Sequence, residues 1–403
     1  MSAADANISL MAPPVVKTIG RRSLIIGAIA GALSLVLAFF KDQQTVFFRG
    51  YLLAFMDWLG VALGSMAILM LRHLTKGAWG MVIRRILGAA MRTIPLLTLM
   101  FLPLLLGVKH LYIWAQPLQS ISDKHLEEHL RDITRSYLSI PALVVRAIIY
   151  FAIWNVLSYF LTKWSRQQDQ PPLRDNSRRF KALSGPGIIL YGFSISFFAI
   201  DWTMSLDPSW ISTIYPLVIL IGEVLSALCF AVVVERILIR YKPMSELIKP
   251  EHVHDHGNLM LMSIMLWAYF SFSQWLIIWA GNLPEEITWY LKRLHGGWGW
   301  VGLCLALFHF AVPFVFLLSR PFKRDVSKLV WLAVWLMFMR YVDLFWIIEP
   351  NFSETFAGTW ADILVSVAMG GLWLAYFCRH LSSLPLVPAY DVFATEVLEP
   401  AHE

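Results

Sequence analysis

The sequence predicts an all-α membrane protein that crosses the bilayer about ten times. Three observations carry that prediction. Hydrophobic residues make up 58% of the chain and charged residues only 15%, against roughly 45–50% and 25% in a soluble domain. The charges are bunched into short connectors between apolar runs of about twenty residues, the length a helix needs to cross a hydrocarbon core. Those runs are too long and too uniformly apolar to be barrel strands, so in lipid only helices satisfy their backbone groups.

Ten runs qualify: 22–40, 47–71, 84–107, 141–163, 184–204, 210–239, 257–281, 296–319, 326–348 and 359–379. The first follows Gly20-Arg21-Arg22 and lacks a small-residue cleavage site, so it reads as a retained helix and not as a signal peptide. Gly27-x-x-x-Gly31 and Gly60-x-x-x-Gly64 in the first two runs let helix backbones approach closely. In the outer connector 108–140, Leu126, Leu130, Ile133 and Tyr137 recur at helical spacing among charges and predict an amphipathic helix. Connector 164–183 is polar, contains Pro171-Pro172 and reads as a loop. Ser184-Gly185-Pro186-Gly187 then opens the fifth run, with Pro186 expected in the first turn. The tail 380–403 is too polar to span and reads as an extended segment that needs a partner surface. Many of the 18 tryptophans, among them Trp79, Trp164, Trp202, Trp210, Trp289 and Trp360, lie near run ends and read as interface anchors.

An even number of crossings returns both termini to one side. Lys and Arg favour the segments on that side roughly threefold, which assigns it to the cytoplasm. Residues 1–21 and 380–403 are thus cytoplasmic and 22–379 form the membrane domain. The pI of 9.2 is then a topology signal and implies no nucleic-acid partner. Cys229, Cys304 and Cys378 show no CxxC or CxxCH spacing, which leaves disulfide, zinc, iron–sulfur and c-type haem without a ligand set. A b-type haem needs facing histidines, and only His309 lies well inside a run, so no redox metal is expected on this chain.

Ionisable groups inside a bilayer cost at least a few kcal/mol each, which makes them the first functional candidates. Asp57 lies at i−3 and i−7 from Gly60 and Gly64, on the close-packing face, and suits proton or ligand traffic or a buried hydrogen bond. Glu223 sits near the centre of the sixth run with no Lys or Arg within a turn. It suits a proton relay or a neutral hydrogen-bonding role. Pro313, at i+4 from His309, cannot donate to the carbonyl of residue 309, so an imidazole and a free carbonyl coincide at a kink. Arg340 and Asp343 are three apart, spaced to pair on one helix face and hold neighbouring helices together. Asp201, Asp207 and Glu349 fall near outer run ends, at the expected surface, where they suit the mouth of a proton exit. His252, His254 and His256 alternate as zinc ligands do, without a fourth ligand in place.

Several stretches together resemble the F subunit of bacterial alternative complex III, a quinol-oxidising respiratory complex. They are Leu111-Tyr112-Ile113-Trp114-Ala115, Ser136-Tyr137-Leu138, and Asp201-Trp202-Thr203-Met204-Ser205-Leu206-Asp207-Pro208-Ser209-Trp210. Further on come Trp267-Ala268-Tyr269, Ser273-Gln274, Trp279-Ala280-Gly281-Asn282-Leu283-Pro284-Glu285-Glu286, His309-Phe310, Arg340-Tyr341-Val342-Asp343 and Leu384-Pro385-Leu386-Val387-Pro388. The likeness runs from the third run onward. Where that family has His-Asp-x-Gly-Lys, this chain has His254-Asp255-His256-Gly257-Asn258.

The resemblance implies two four-helix bundles built from the inner eight spans, with the first and last outside, as in NrfD-like polysulfide reductase membrane subunits. It implies a place in the bacterial inner membrane and a set of partners. These are a multihaem cytochrome c, an iron–sulfur, molybdopterin-like subunit, a related NrfD-like membrane subunit that takes the quinol, small membrane-anchored subunits and a terminal oxidase. Haem c and the iron–sulfur clusters belong to those partners, and quinone is the mobile carrier. The reading is a scaffold without a redox centre that offers a proton path through Asp57, Glu223, His309, Arg340, Asp343 and Asp201. Two alternatives remain open: direct quinol binding, with His309 as proton acceptor, and a stand-alone secondary transporter with discontinuous helices at the midplane.

Overall fold

The computed structural model describes residues 10–40, 43–75, 77–117, 124–170, 175–356 and 358–388. Residues 1–9, the Pro171-Pro172 pair, the side chain of Leu126 and the tail beyond residue 388 lie outside the described set. Among the described residues there are ten helices long and apolar enough to cross a membrane, and no strand. The protein is an all-α multi-pass membrane protein.

The first span, Pro14–Phe39, starts ahead of the apolar run, with proline at the first helical position where its missing N–H costs nothing. The second is Gln44–Thr75. The third is broken into Trp79–Met91 and Ile94–Leu111. Pro95 explains the break, since it cannot donate to the carbonyl of Met91 and its ring clashes there. Arg92 fills the gap. Its guanidinium donates to the His380 carbonyl at 2.6 Å and to Ser383 Oγ at 3.1 Å, pinning the break to the end of the tenth span.

The amphipathic helix forms at Lys124–Ser136 with Leu130 fully buried, and Ile133 and Tyr137 rest against the core. The fourth span is Ile140–Gln168. The fifth, Ser177–Trp202, begins about two turns before the apolar run, so Pro186 lies inside the helix and not in its first turn. The sixth begins at Tyr215 and ends at Leu238, because residues 203–214 fold into an irregular cap that includes the turn Met204–Leu206. The seventh is Pro250–Gly281 and is followed by a short helix, Pro284–Leu294. The eighth runs from Trp298 to Leu318 with a π-helical stretch at Leu305–Ala311. The ninth and tenth are Val326–Ile348 and Trp360–Leu381.

Spans two to five pack as one four-helix bundle and spans six to nine as a second. Spans two and six lie back to back between them and are the most enclosed, 83% and 78% buried over their central windows. The glycine spacing in span two makes that contact. A Cβ at Gly60 would lie 3.2 Å from Glu223 Cγ, and one at Gly64 would strike the Glu223 carbonyl. Spans one and ten pair outside the bundles, where Gly27 meets Gly371 backbone to backbone. Leu386 N–H donates to the Leu10 carbonyl at 2.8 Å, so both described ends of the chain meet at one end of the molecule.

The tryptophans depart from the interface expectation. Trp202, Trp210 and Trp289 are fully buried, and Trp210 stacks on Trp289 with centroids 4.7 Å apart. The cap and the Pro284–Leu294 helix cover these span ends, so nearness to a run end does not put them at the surface. Trp360, by contrast, is exposed, as an anchor should be.

Candidate functional site

The polar interior is built where the two bundles meet. From span nine, Arg340 pairs with Asp343 one turn along, both buried. The guanidinium lies flat against Gly222 of span six, where a Cβ would collide with it, and reaches toward the Ile219 carbonyl at 3.5 Å. Asp343 Oδ2 also accepts from Trp267 Nε1 of span seven at 3.1 Å. The Trp267 ring packs 4.2 Å, centroid to centroid, from His309 of span eight. His309 is completely buried in the π-helical stretch, and neither ring nitrogen has a hydrogen-bond partner among the described residues.

Next to Gly222, Glu223 turns toward the first bundle. Its Oε2 accepts from Tyr191 Oη of span five at 2.8 Å, while Oε1 is buried without a partner. Half-buried Asp57 of span two lies within electrostatic reach of Arg340 and of Tyr341. Arg340 acts electrostatically on Asp57, Glu223 and His309 alike. Of the six residues of the expected proton path, Asp57, Glu223, His309 and Asp343 therefore lie around a fifth, the buried cation Arg340. Asp201 does not join them. It is buried at the end of span five, held bidentately by Arg146 Nε and Nη2 at 2.9 Å and by Tyr150 Oη at 2.9 Å.

A cavity of about 550 Å³ opens beside Asp343 and Trp267. Tyr215, Gln274, Trp289 and Arg293 line it among mostly apolar neighbours. Arg293 is buried with its guanidinium 3.6 Å over the Trp289 ring, and it donates to the carbonyls of Trp289, Trp346 and Ile347. Burial pushes this guanidinium down to about 9, which keeps it charged at neutral pH.

Asp207 and Glu349 are buried too, against the surface location expected of them. Asp207 accepts from Lys292 Nζ at 2.6 Å and from Ser209 Oγ at 2.7 Å. Glu349 lies 2.8 Å from Arg49 Nε, and Arg49 also faces Asp362, 3.5 Å away. Two carboxylates thus share one cation where the start of span two meets the end of span nine and the start of span ten. Tyr341 links this group inward, donating to the Asp362 carbonyl at 3.0 Å and accepting from Ser366 Oγ at 3.1 Å. At the opposite end Glu235 and His256 form a fully buried pair at 2.9 Å, and His256 Nε2 is 3.0 Å from the Trp79 carbonyl.

Arg49, Glu235 and Asp362 were legible as charges inside apolar runs, the same signal that singled out Asp57 and Glu223. Tyr191 and Trp267 carried no such signal, since their role comes from a neighbour on another span. The alternate histidines do not converge. His252 caps its own helix by accepting from Lys249 N, His256 faces Glu235, and among the described residues no group of three or more His, Cys, Asp or Glu is set to hold a metal. Asn258, which stands where the resemblance implies lysine, accepts from Lys323 Nζ at 2.6 Å, so an ammonium arrives there from the connector after span eight. Compared with known proteins, the chain matches no family model and no curated protein.

Proposed function

We propose that this chain is a membrane subunit of a quinol-oxidising respiratory complex of the alternative complex III type, in which it serves as scaffold and conducts protons. In this reading it sits in a bacterial inner membrane with both termini cytoplasmic and works beside haem- and iron–sulfur-bearing partners. The observation that carries the proton role is the buried polar group at the bundle interface, where Arg340 and Asp343 are flanked by Glu223 and by a His309 without partners. Buried polar groups without partners cost free energy, so they are retained where they do something. Glu235 with His256 toward one side, and Asp362 with Glu349 and Arg49 toward the other, extend the series toward both surfaces.

Purification from native membranes in mild detergent tests the assembly. Co-purifying c-type haem and iron–sulfur subunits are expected, and a colourless single chain would overturn the assignment in favour of a stand-alone transporter. In the reconstituted complex, Glu223→Gln should lower the protons moved per electron while quinol oxidation continues. An unchanged ratio removes the proton role.

The cavity beside Asp343 favours a second reading, direct quinol binding. Its size and apolar, aromatic lining with a few polar groups suit a ring with two hydroxyls, and Asp343 is a proton acceptor at its wall. Quinone bound to the purified chain and lost in His309→Leu, which removes the ring behind Trp267, supports this reading; no bound quinone counts against it.

A further inference from the structure

Where spans one and ten meet, at the end of the molecule that holds both described chain ends, they leave a cleft of about 490 Å³. Its size is in the roughly 300–1,000 Å³ range of ligand sites. Lys17 and Arg21, one turn apart on span one, line it from one side, and Arg379 of span ten lines it from the other. Among the described residues, no acidic side chain is in its lining. Ser382 also faces the cleft, and its hydroxyl oxygen is buried without a hydrogen-bond partner among the described residues. Leu24 and Cys378 continue the lining, and Leu24 lies one turn deeper than Arg21 toward the middle of span one. From there the outer face of span one is a continuous apolar surface, with Leu24, Ile25, Ile26 and Ile29 each about half exposed.

Three cations and a free hydroxyl at the rim, with an apolar strip leading away into the membrane, describe an amphiphile with an anionic head. We infer that this cleft binds the phosphodiester headgroup of an anionic glycerophospholipid, with Lys17, Arg21 and Arg379 on the phosphate and an acyl chain along span one. Free phosphate shares the head chemistry but gains nothing from the apolar strip. The inference stands apart from the proposed respiratory role, since it rests only on spans one and ten.

Each basic side chain near a membrane surface contributes roughly fivefold to binding an anionic lipid, so the three together contribute about 100-fold. The test is native mass spectrometry of the full chain, stripped of lipid in mild detergent and then given phosphatidylglycerol, cardiolipin, phosphatidylcholine or inorganic phosphate. One of the anionic lipids should remain bound at concentrations where phosphatidylcholine does not, and phosphate should not displace it. The variant K17Q/R21Q/R379Q should lose about 100-fold in anionic-lipid affinity, and K17R/R21K/R379K should keep it. All three side chains are exposed, so neither variant disturbs the fold. Equal retention of phosphatidylcholine, displacement by phosphate, or unchanged binding to the neutralised variant would each overturn the inference.

Discussion

The Arg340 and Asp343 pair offers the sharpest test of the buried polar interior. Asp343→Leu leaves a fully enclosed guanidinium whose remaining hydrogen bond among the described residues is to the Ile219 carbonyl at 3.5 Å, a long contact that returns little of the lost hydration. Removing one partner of a buried pair costs about 3–5 kcal/mol. Arg340→Met should cost a similar amount, because Asp343 then keeps only the Trp267 N–H. The double variant Arg340→Met with Asp343→Leu leaves neither charge and fills the space with apolar atoms. Its cost should fall to about 0–2 kcal/mol, far short of the sum of the singles. Glu223 follows Gly222, the seat of the Arg340 guanidinium, and so keeps a second carboxyl near the unpaired cation. In a Glu223→Gln background the Asp343→Leu cost should therefore rise by about 1 kcal/mol. Unfolding in mixed micelles, followed by tryptophan fluorescence, measures all of these. A double variant as unstable as the two singles added together would refute the coupled pair.

Gly64→Ala drives a Cβ into the Glu223 carbonyl and should destabilise by about 1–3 kcal/mol or more, whereas Gly88→Ala, with open space around it, should leave the thermal midpoint unchanged. Trp210→Ala removes a buried ring stacked on Trp289 and should cost about 3–5 kcal/mol in the same unfolding assay, against less than about 0.5 kcal/mol for exposed Trp360→Ala. Gly222→Ala pushes the Arg340 guanidinium off the span-six backbone without changing any charge, so it should reduce protons moved per electron in reconstituted vesicles as Glu223→Gln does. Arg146→Met frees Asp201 at the end of span five and should lower stability by about 1–3 kcal/mol, discounted because Arg146 is partly exposed, with that proton ratio unaltered.

Much of the site was readable from sequence because charge in an apolar run is conspicuous. Asp57, Glu223, His309, Arg340 and Asp343 each stood out alone, and the glycine spacing in span two pointed to a close helix contact. What the spacing could not reveal is that Gly60 and Gly64 face Glu223 itself, or that Gly222 is the seat of the Arg340 guanidinium. Asp201 looked like the other buried charges and is instead clamped by Arg146 at the end of span five. Trp202, Trp210 and Trp289 misled for a related reason, since a residue near the end of a run is at the interface only if nothing folds over it.

The sequence by itself determined the ten crossings and the all-helical class, because the hydrocarbon thickness and the need to satisfy every backbone group act on each segment separately. Only the tertiary structure decided which spans lie back to back, where the capping segments fall, and which charges share a pocket. Those outcomes depend on contacts between segments up to hundreds of residues apart, such as Arg49 with Glu349, and no local pattern encodes which helix face a side chain will meet.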